Sequence, residues 1–420
     1  MNEQAPEREP EDEAGADPLA FFDDDDDSEV LTMNDSVYRG GRRGGSYDGA
    51  TGEFRAMGAP ARKRASAGVG RADITQAAKD SLLLAHGVPV PDAHPMTIYP
   101  GDGAPYSLFD MSEALLQASG HELEPGADTF RTTVRALSTA DFPAAATDVW
   151  RSIAAARQSP QLAKVLQLTR QLTAPDYREV GFSMVDISGL RQPSRATTGA
   201  AEYIDLSPEP TGEQIAVHSL HARIAISRQA IVNDSAGLFA ASIDAVLRAA
   251  ASIEMESIVG LLLANANLQH DAAPVFHDDH GNQLAAANVD GVGYLAALRA
   301  LRRQKTEAGD PADSDPAVLL VSADAEGTAL ETIKKLPANA RPAVLATAHL
   351  TGTQTWFLMA SPDTHPVIGR TRLENAPMSG VSFHALEPAE EHPGLWLPLS
   401  FSVGHSILSR IGIVRVGGTE

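Results

Sequence analysis

Ser235–Asn267 reads SAGLFAASIDAVLRAAASIEMESIVGLLLANAN, and the fold turns on how this stretch is read. Leu238, Ile243, Val246, Ala250, Ile253, Ile258, Leu261 and Leu262 recur at near-helical intervals, and alanine is abundant. Asn233 or Asp234 can cap the start. The pattern predicts one helix of about thirty residues, roughly 45 Å long at ~1.5 Å per residue. An element of that length is a spine around which others pack. Within it, Glu254 and Glu256 are two residues apart and cannot easily share a face. They make a poor catalytic pair and read as rim charges.

Upstream of the helix, residues from Tyr177 to Ser227 are polar, with alternating pieces (FSMVDI, EYIDL, QIAVHSLHARIAI) separated by Gly, Pro and Ser. This predicts an extended, hairpin-like excursion with little core of its own. Strand alternation puts His218 and Leu220 on one face and Ser219 and His221 on the other, which argues against a shared histidine pair. Further upstream, ITQAAKDSLLLAHG and SLFDMSEALLQASG predict short helices ending at Gly87 and Gly120, joined by a proline-rich connector. Thr139-Ala140-Asp141-Phe142-Pro143 offers a cap and a first-turn proline for a helix through DVWRSIAAARQ. Residues 1–70 do not read as a folded domain. Thirteen acidic side chains stand against Arg8 alone in the first 29 residues, and a basic block from Arg39 to Arg71 follows. Such blocks cannot offset ordering entropy with apolar burial. They suit an interaction or assembly arm.

Downstream, YLAALRALRRQKTEAG predicts a helix, and AVLLVSADAEGTALETIKKL a strand, a turn and a helix. VLATAHL, WFLMASP, VIGRTRL, GVSFHAL, GLWLPLSFSVG and ILSRIGIVRVG read as strands. The expected class is α+β with mixed or antiparallel sheets, without βαβ periodicity or an internal repeat.

Composition narrows the function. Across 420 residues, 33 Lys+Arg against 55 Asp+Glu give a formal net charge of −22, which disfavours a general nucleic-acid-binding surface. Self-assembly of such a chain must rest on apolar burial or on pairing of unlike patches. The chain has no cysteine, so disulfides, thiolate metal sites and cysteine nucleophiles are excluded. The acidic start is not a signal peptide, and no apolar run is long enough to span a bilayer, which predicts a cytoplasmic setting.

The segment VFHDDHGNQL, Val275–Leu284, has the residue types of a metal centre: His277, Asp278, Asp279 and His280. Yet Asp271-Ala-Ala-Pro274 precedes it and Gly281-Asn282 follows, a turn composition. The reading adopted is a polar loop with Phe276 as a buried anchor, in which Asp278, Asp279 and Asn282 cap their own backbone. No GxGxxG before a helix, GxxxxGK[ST], HExxH or G-x-S-x-G occurs. Distant Ser, His and Asp residues leave triad chemistry open. No catalytic, cofactor-binding or metal-binding residue is assigned, and no cofactor is expected.

Taken in order, STADFP (Ser138–Pro143), ISRQAIVND (Ile226–Asp234) with GLFAASI after it, LLLANANL, VFHDDHGNQLA (Val275–Ala285), LRRQKTEAG, AVLLVSADAEGTAL and WFLMASPDTHPVIGRTRLENAP (Trp356–Pro377) resemble the major capsid protein of tailed bacteriophages, closest to the Mu-like major head subunit group. The likeness covers roughly residues 130–420. It implies a phage major capsid fold with long spine helix, extended loop, and peripheral and axial domains. The expected division is a 1–70 N-terminal segment, a 71–129 helical extension or assembly segment, a 130–169 arm, a 170–222 extended loop, a 223–289 peripheral domain with the spine helix, a 290–400 mainly axial domain, and a 401–420 strand returning to the peripheral domain. It further implies a non-enzymatic virion subunit, assembled in the bacterial cytoplasm. Hexamers and pentamers would enclose double-stranded DNA without sequence-specific binding, with a prohead protease, portal and decoration proteins as partners and no membrane. The alternatives are a metal-dependent hydrolase centred on His277 and His280, or a head-maturation protease.

Overall fold

In a computed structural model, the described residues are 45–47, 54–56 and 70–417, except 99–105, 122–128, 140, 158, 184–209, 230–235, 270, 307–308, 310 and 390–393. The chain divides into two units, Met1–Lys63 and Arg64–Glu420. In the first, β1 (Gly45–Tyr47) and β2 (Phe54–Ala56) form an antiparallel ribbon. Everything below concerns the second.

Four helices lead in: α1 (Arg71–Ala85), α2 (Leu108–Ala118), α3 (Thr129–Leu137) and α4 (Asp141–Ala156). The sequence sets their ends. Ser107 Oγ accepts from the Asp110 amide, and Asp110 Oδ2 from the Ser107 amide, both at 3.1 Å, a reciprocal cap that satisfies two orphan donors of α2. Gly87 (φ 75°) and Gly120 (φ 79°) adopt the left-handed conformation the glycine caps require. The next amides then reach back, Val88 to the Leu83 carbonyl at 3.0 Å and His121 to that of Leu116 at 3.1 Å. Both caps fall where the sequence puts them.

After α5 (Pro160–Leu168) the chain runs directly into β3 (Thr169–Ala174), then β4 (Val180–Ser183), β5 (Pro210–Ile215) and β6 (His218–Ser227). The long helix follows: α6, Ala236–Ala264, 29 residues. Its proposed caps Asn233 and Asp234, like the EYIDL strand, lie outside the described residues. Next come β7 (Gln283–Leu284), α7 (Gly291–Arg303), β8 (Pro316–Ser322), α8 (Glu326–Lys334), β9 (Ala343–Thr347), β10 (Trp356–Ala360), β11 (Ile368–Leu373), β12 (Val381–Phe383), β13 (Glu387–Pro388), β14 (Gly394–Ile407) and β15 (Ile413–Val416).

Two open sheets organise these elements. A five-stranded sheet runs β7-β15-β10-β8-β9, and a six-stranded one runs β12-β14-β11-β3, with β6 and β13 also paired to β14. The fold is mixed α+β. β8 and β9 are parallel neighbours with α8 between them, a single βαβ unit in a sheet that is mixed, as expected. A lone crossover leaves no periodic signature, in keeping with the absence of βαβ periodicity in the sequence. The expected division at 400/401 falls inside β14, and β15 lies in the five-stranded sheet beside β10.

Three apolar clusters follow from this arrangement. In the first, α1, α2, α4 and the first half of α6 (Ile243, Leu247, Ala250) cover Leu395, Leu397, Leu399 and Phe401 of β14. In the second, α5 and the second half of α6 (Ala251, Met255, Ile258, Val259, Leu262) cover one face of the five-stranded sheet through Val318, Leu320, Phe357 and Ile413. The third lies on that sheet's opposite face, where Tyr294, Ala297 and Leu301 of α7 and Ala329 and Ile333 of α8 pack on Leu319, Val321, Leu358, Val414 and Val416. Helix α6 thus serves two cores in turn. Burying side chains such as Ile258 and Leu262, both fully inaccessible, contributes about 1.5–3 kcal/mol each.

Candidate functional site

The segment Val275–Leu284 leaves α6 and enters β7. His277–His280 includes a single 3₁₀ turn, Asp278–His280, closed by Gly281 at φ 63°. The capping side chain is His277: its Nδ1 accepts from the Asp279 amide at 3.2 Å. This corrects the expectation that Asp278 and Asp279 do the capping. Asn282 does participate, as expected. It is fully buried, takes the His277 amide on Oδ1 (3.1 Å) and donates through Nδ2 to the Val275 carbonyl (2.8 Å). Asn265, just past α6, clasps Phe276 in the same way, taking its amide at 2.7 Å and donating to its carbonyl at 3.1 Å. Phe276 is buried, as predicted, and lies 5.7 Å below the guanidinium carbon of Arg415.

This geometry uses His277 Nδ1 and both His280 nitrogens for the turn and its surroundings. The two rings stand 5.7 Å apart, edge to face. His280 sets Nδ1 3.1 Å from the Val275 carbonyl and Nε2 3.0 Å from Asp271 Oδ2. Asp271 also faces Arg410 Nε at 3.4 Å. With His277 Nδ1 spent on a backbone amide and both His280 nitrogens facing oxygen, the four residues form a braced turn. Among the described residues, no group of three or more His, Cys, Asp or Glu side chains could hold a metal ion.

Two Ser–His pairs do form, Ser252 Oγ with His349 Nε2 at 3.1 Å and Ser400 Oγ with His384 Nε2 at 3.0 Å. Neither histidine meets a carboxylate among the described residues, so neither pair has a triad's third member. His218 and His221 alternate along β6 as the sequence indicated, β6 being paired with β14 in unbroken register from His218↔Val403 to Ser227↔Gly394.

The strongest electrostatic feature is one the sequence did not reveal. Gln171 of β3, Arg370 of β11 and His405 of β14 stand in one row across the six-stranded sheet, since Arg370 is in register with both others. That row faces Glu254 of α6. Arg370 grips Glu254 with two hydrogen bonds, Nε to Oε2 at 2.5 Å and Nη2 to Oε1 at 2.8 Å. His405 Nε2 lies 3.1 Å from the same Oε2. Arg370 also donates to Gln171 Oε1 (3.1 Å) and to the Met378 carbonyl (2.9 Å). Glu254 and Arg370 are inaccessible to solvent. Burial pushes the Glu254 carboxyl up, but the hydrogen bonds and positive charge of Arg370 and His405 outweigh it and hold the group below the usual glutamate range.

Glu254 is therefore no rim charge. Glu256 is exposed as expected, and the two do occupy different faces. The clue in the sequence was Arg370 inside VIGRTRL, a charge within an otherwise buried strand. Its position at the seam between the first and second cores matters, because Ala250 belongs to one and Ala251 and Met255 to the other. The network there ties α6 to β11 and β14 through Glu254, and Arg370 in turn to β3.

Comparison with known proteins bears on what such a framework serves. Residues 212–385 match the family model described as phage capsid protein. Over that span the chain is phage-capsid-like. The span begins in β5 and ends after β12, and it includes Glu254, Arg370 and the braced turn, while Gln171 and His405 lie outside it. No curated protein matches. Among solved structures, a phage-related protein from Bordetella bronchiseptica RB50 is 12% identical with a TM-score of 0.43, over 65% of this chain and 96% of that one. The capsid of Cyanophage P-SCSP1u is 12% identical with a TM-score of 0.39, over 60% and 88%. An encapsulin complex from Synechococcus elongatus PCC 7942 is 11% identical with a TM-score of 0.39, over 61% and 86%.

Proposed function

We propose that this protein is a non-enzymatic shell subunit, a major capsid protein of the tailed-phage, Mu-like head type. Its copies assemble into hexamers and pentamers of an icosahedral shell around double-stranded DNA. The observation that carries this reading is the match of residues 212–385 to phage capsid protein. The long helix spanning two cores supports it, being suited to a subunit that must keep one shape under lateral contacts.

In this reading 130–169 is the arm and 170–222 the extended loop. Residues 223–289 form the peripheral domain, 290–400 are mainly axial, and 401–420, the second half of β14 with β15, form the terminal segment. Residues 1–129 act in assembly. A segment with little core of its own becomes ordered against neighbouring copies, and closed symmetry multiplies modest contacts. A prohead protease, a portal and decoration proteins would be its partners, in the virion and during assembly in a bacterial host.

Sedimentation velocity of the full-length chain tests the proposal. Expected are species of pentamer or hexamer mass and larger, growing with protein concentration. A monomer at every concentration and salt, with phage assembly partners present as well, would overturn it.

A further inference from the structure

The leading helices are built into the subunit rather than hung from it. Leu82 of α1 and Met111, Leu115 and Leu116 of α2 are fully buried, in the same apolar cluster as Leu395, Leu397, Leu399 and Phe401 of β14. Helix α4 packs on α1 and α2 and also on β12 and α6. Helix α3 packs on α2 and α4 and reaches β13. Among the described residues, no member of the three apolar clusters precedes Ala78.

Polar ties follow the same path. Arg71 pairs with Asp141, and Lys79 with Asp148 at 2.6 Å, each joining α1 to α4. Such exposed pairs add little. Arg157, just past α4, joins more: it donates to the His86 carbonyl at 3.3 Å and pairs with Asp244 of α6. One guanidinium thus holds the end of α1 to the long helix. The ring of His86 lies 6.1 Å from that of Trp150, which is buried in the cluster. The chain after α1 is pinned as well, the amides of His94 and Ile98 donating to Asp80 Oδ2 at 2.8 Å and to Ser81 Oγ at 2.9 Å. Taking α1 and α2 away would therefore bare the apolar side of α4 to water, a patch that a folded subunit cannot leave open without loss.

We propose that the folded body of the subunit begins at Gly70, the residue that caps α1 and whose amide donates to Asp73 Oδ2 at 3.2 Å. Helices α1, α2 and α3 then stay in the finished particle, and a protease that trims the chain by hydrolysis leaves a working subunit only if it cuts before them. The protease and the particle rest on the shell reading. The boundary refines that reading by moving the start of the shell-forming body from about residue 130 to Gly70.

Brief trypsin digestion of the native full-length chain, then gel filtration and mass measurement, reads the boundary. Trypsin has sites inside these helices, at Lys79 in α1 and at Arg131 and Arg135 in α3. The resistant body should carry α1, α2 and α3 with it through the column, whether or not Arg131 is nicked. A body that elutes without α1 and α2 would overturn the boundary. Leu115→Ala in the full-length chain gives a second readout under non-assembling conditions. As part of a shared core it should lower the main thermal transition by about 2–6 °C, while Gln117→Ala, exposed on the same helix, leaves it unchanged. A main transition that Leu115→Ala does not move would show a detachable appendage and overturn the proposal. Particles made with assembly partners supply the third readout, the mass of the chain within them. Particles whose chains lack α1–α3 would sink this boundary and leave the shell reading standing. A resistant body that keeps α1–α3 but forms no particle with those partners would do the reverse.

Discussion

Replacing Glu254 by Gln keeps the shape of the side chain and removes its charge. Arg370, inaccessible and now facing a neutral amide, keeps its hydrogen bonds to Gln171 and Met378 but loses its counter-charge. Breaking one partner of a buried pair typically costs about 3–5 kcal/mol, because the remaining charge stays desolvated. For a chain of 420 residues that corresponds to a fall in melting temperature of about 3–6 °C. The assay is thermal denaturation of the subunit at neutral pH under non-assembling conditions, followed by circular dichroism. Glu256→Gln, two residues further along and exposed, is the internal control and should stay within about 0.5 kcal/mol of wild type. The acid limb gives a second signature. The folded-state pKa of Glu254 is depressed, so its contribution is fully present above the unfolded value of about 4.3 and is lost as pH falls through the folded value. The gap between wild type and Glu254→Gln should therefore narrow below about pH 4. A Glu254→Gln protein as stable as the Glu256→Gln control would refute the reasoning that this network pins α6.

Other outcomes follow from the same structure. Asn282→Ala strands the His277 amide and one bond of the Val275 carbonyl and should cost about 1–3 kcal/mol in a urea titration; a change under a few tenths would show that the turn is held by other means. Metal analysis of the purified protein and of His277→Ala with His280→Ala should find no stoichiometric metal in either, and stoichiometric metal lost in the double variant would restore the hydrolase reading. His86 is held below the ordinary histidine range by burial and, secondarily, by the Arg157 charge. Its contribution is thus present above about pH 6.5 and lost as pH falls, so His86→Gln should flatten the stability profile between pH 7 and 5, and an unchanged slope would contradict the assignment. Gly404→Ala would place a methyl carbon 1.7 Å from the Ala216 carbonyl oxygen, where backbone cannot yield cheaply. A loss of about 3 kcal/mol or more is expected in the same titration, and a neutral effect would mean that β14 and the segment entering β6 sit further apart.

The elements with local causes were legible in the sequence. Helix α6 announced itself by periodicity, α1 and α2 by their glycine ends, and the late strands by β-rich runs between Gly and Pro. Phe276, set among turn-forming residues, reads as the anchor of its loop, and it is buried. What escaped had causes distant in sequence. Glu254 reads as surface charge until Arg370, 116 residues away, and His405 are placed across from it, and only strand pairing places them. His277 took the capping role expected of the aspartates because its Nδ1 sits where the turn presents the Asp279 amide, a matter of rotamer rather than residue type.

Electron microscopy of the purified full-length chain tests the central claim most directly. If it is a shell subunit, grids prepared at rising concentration, with assembly partners co-expressed, should show closed particles of uniform size whose surface resolves into five- and six-membered rings. Fields containing only dispersed single subunits under all of these conditions would contradict it.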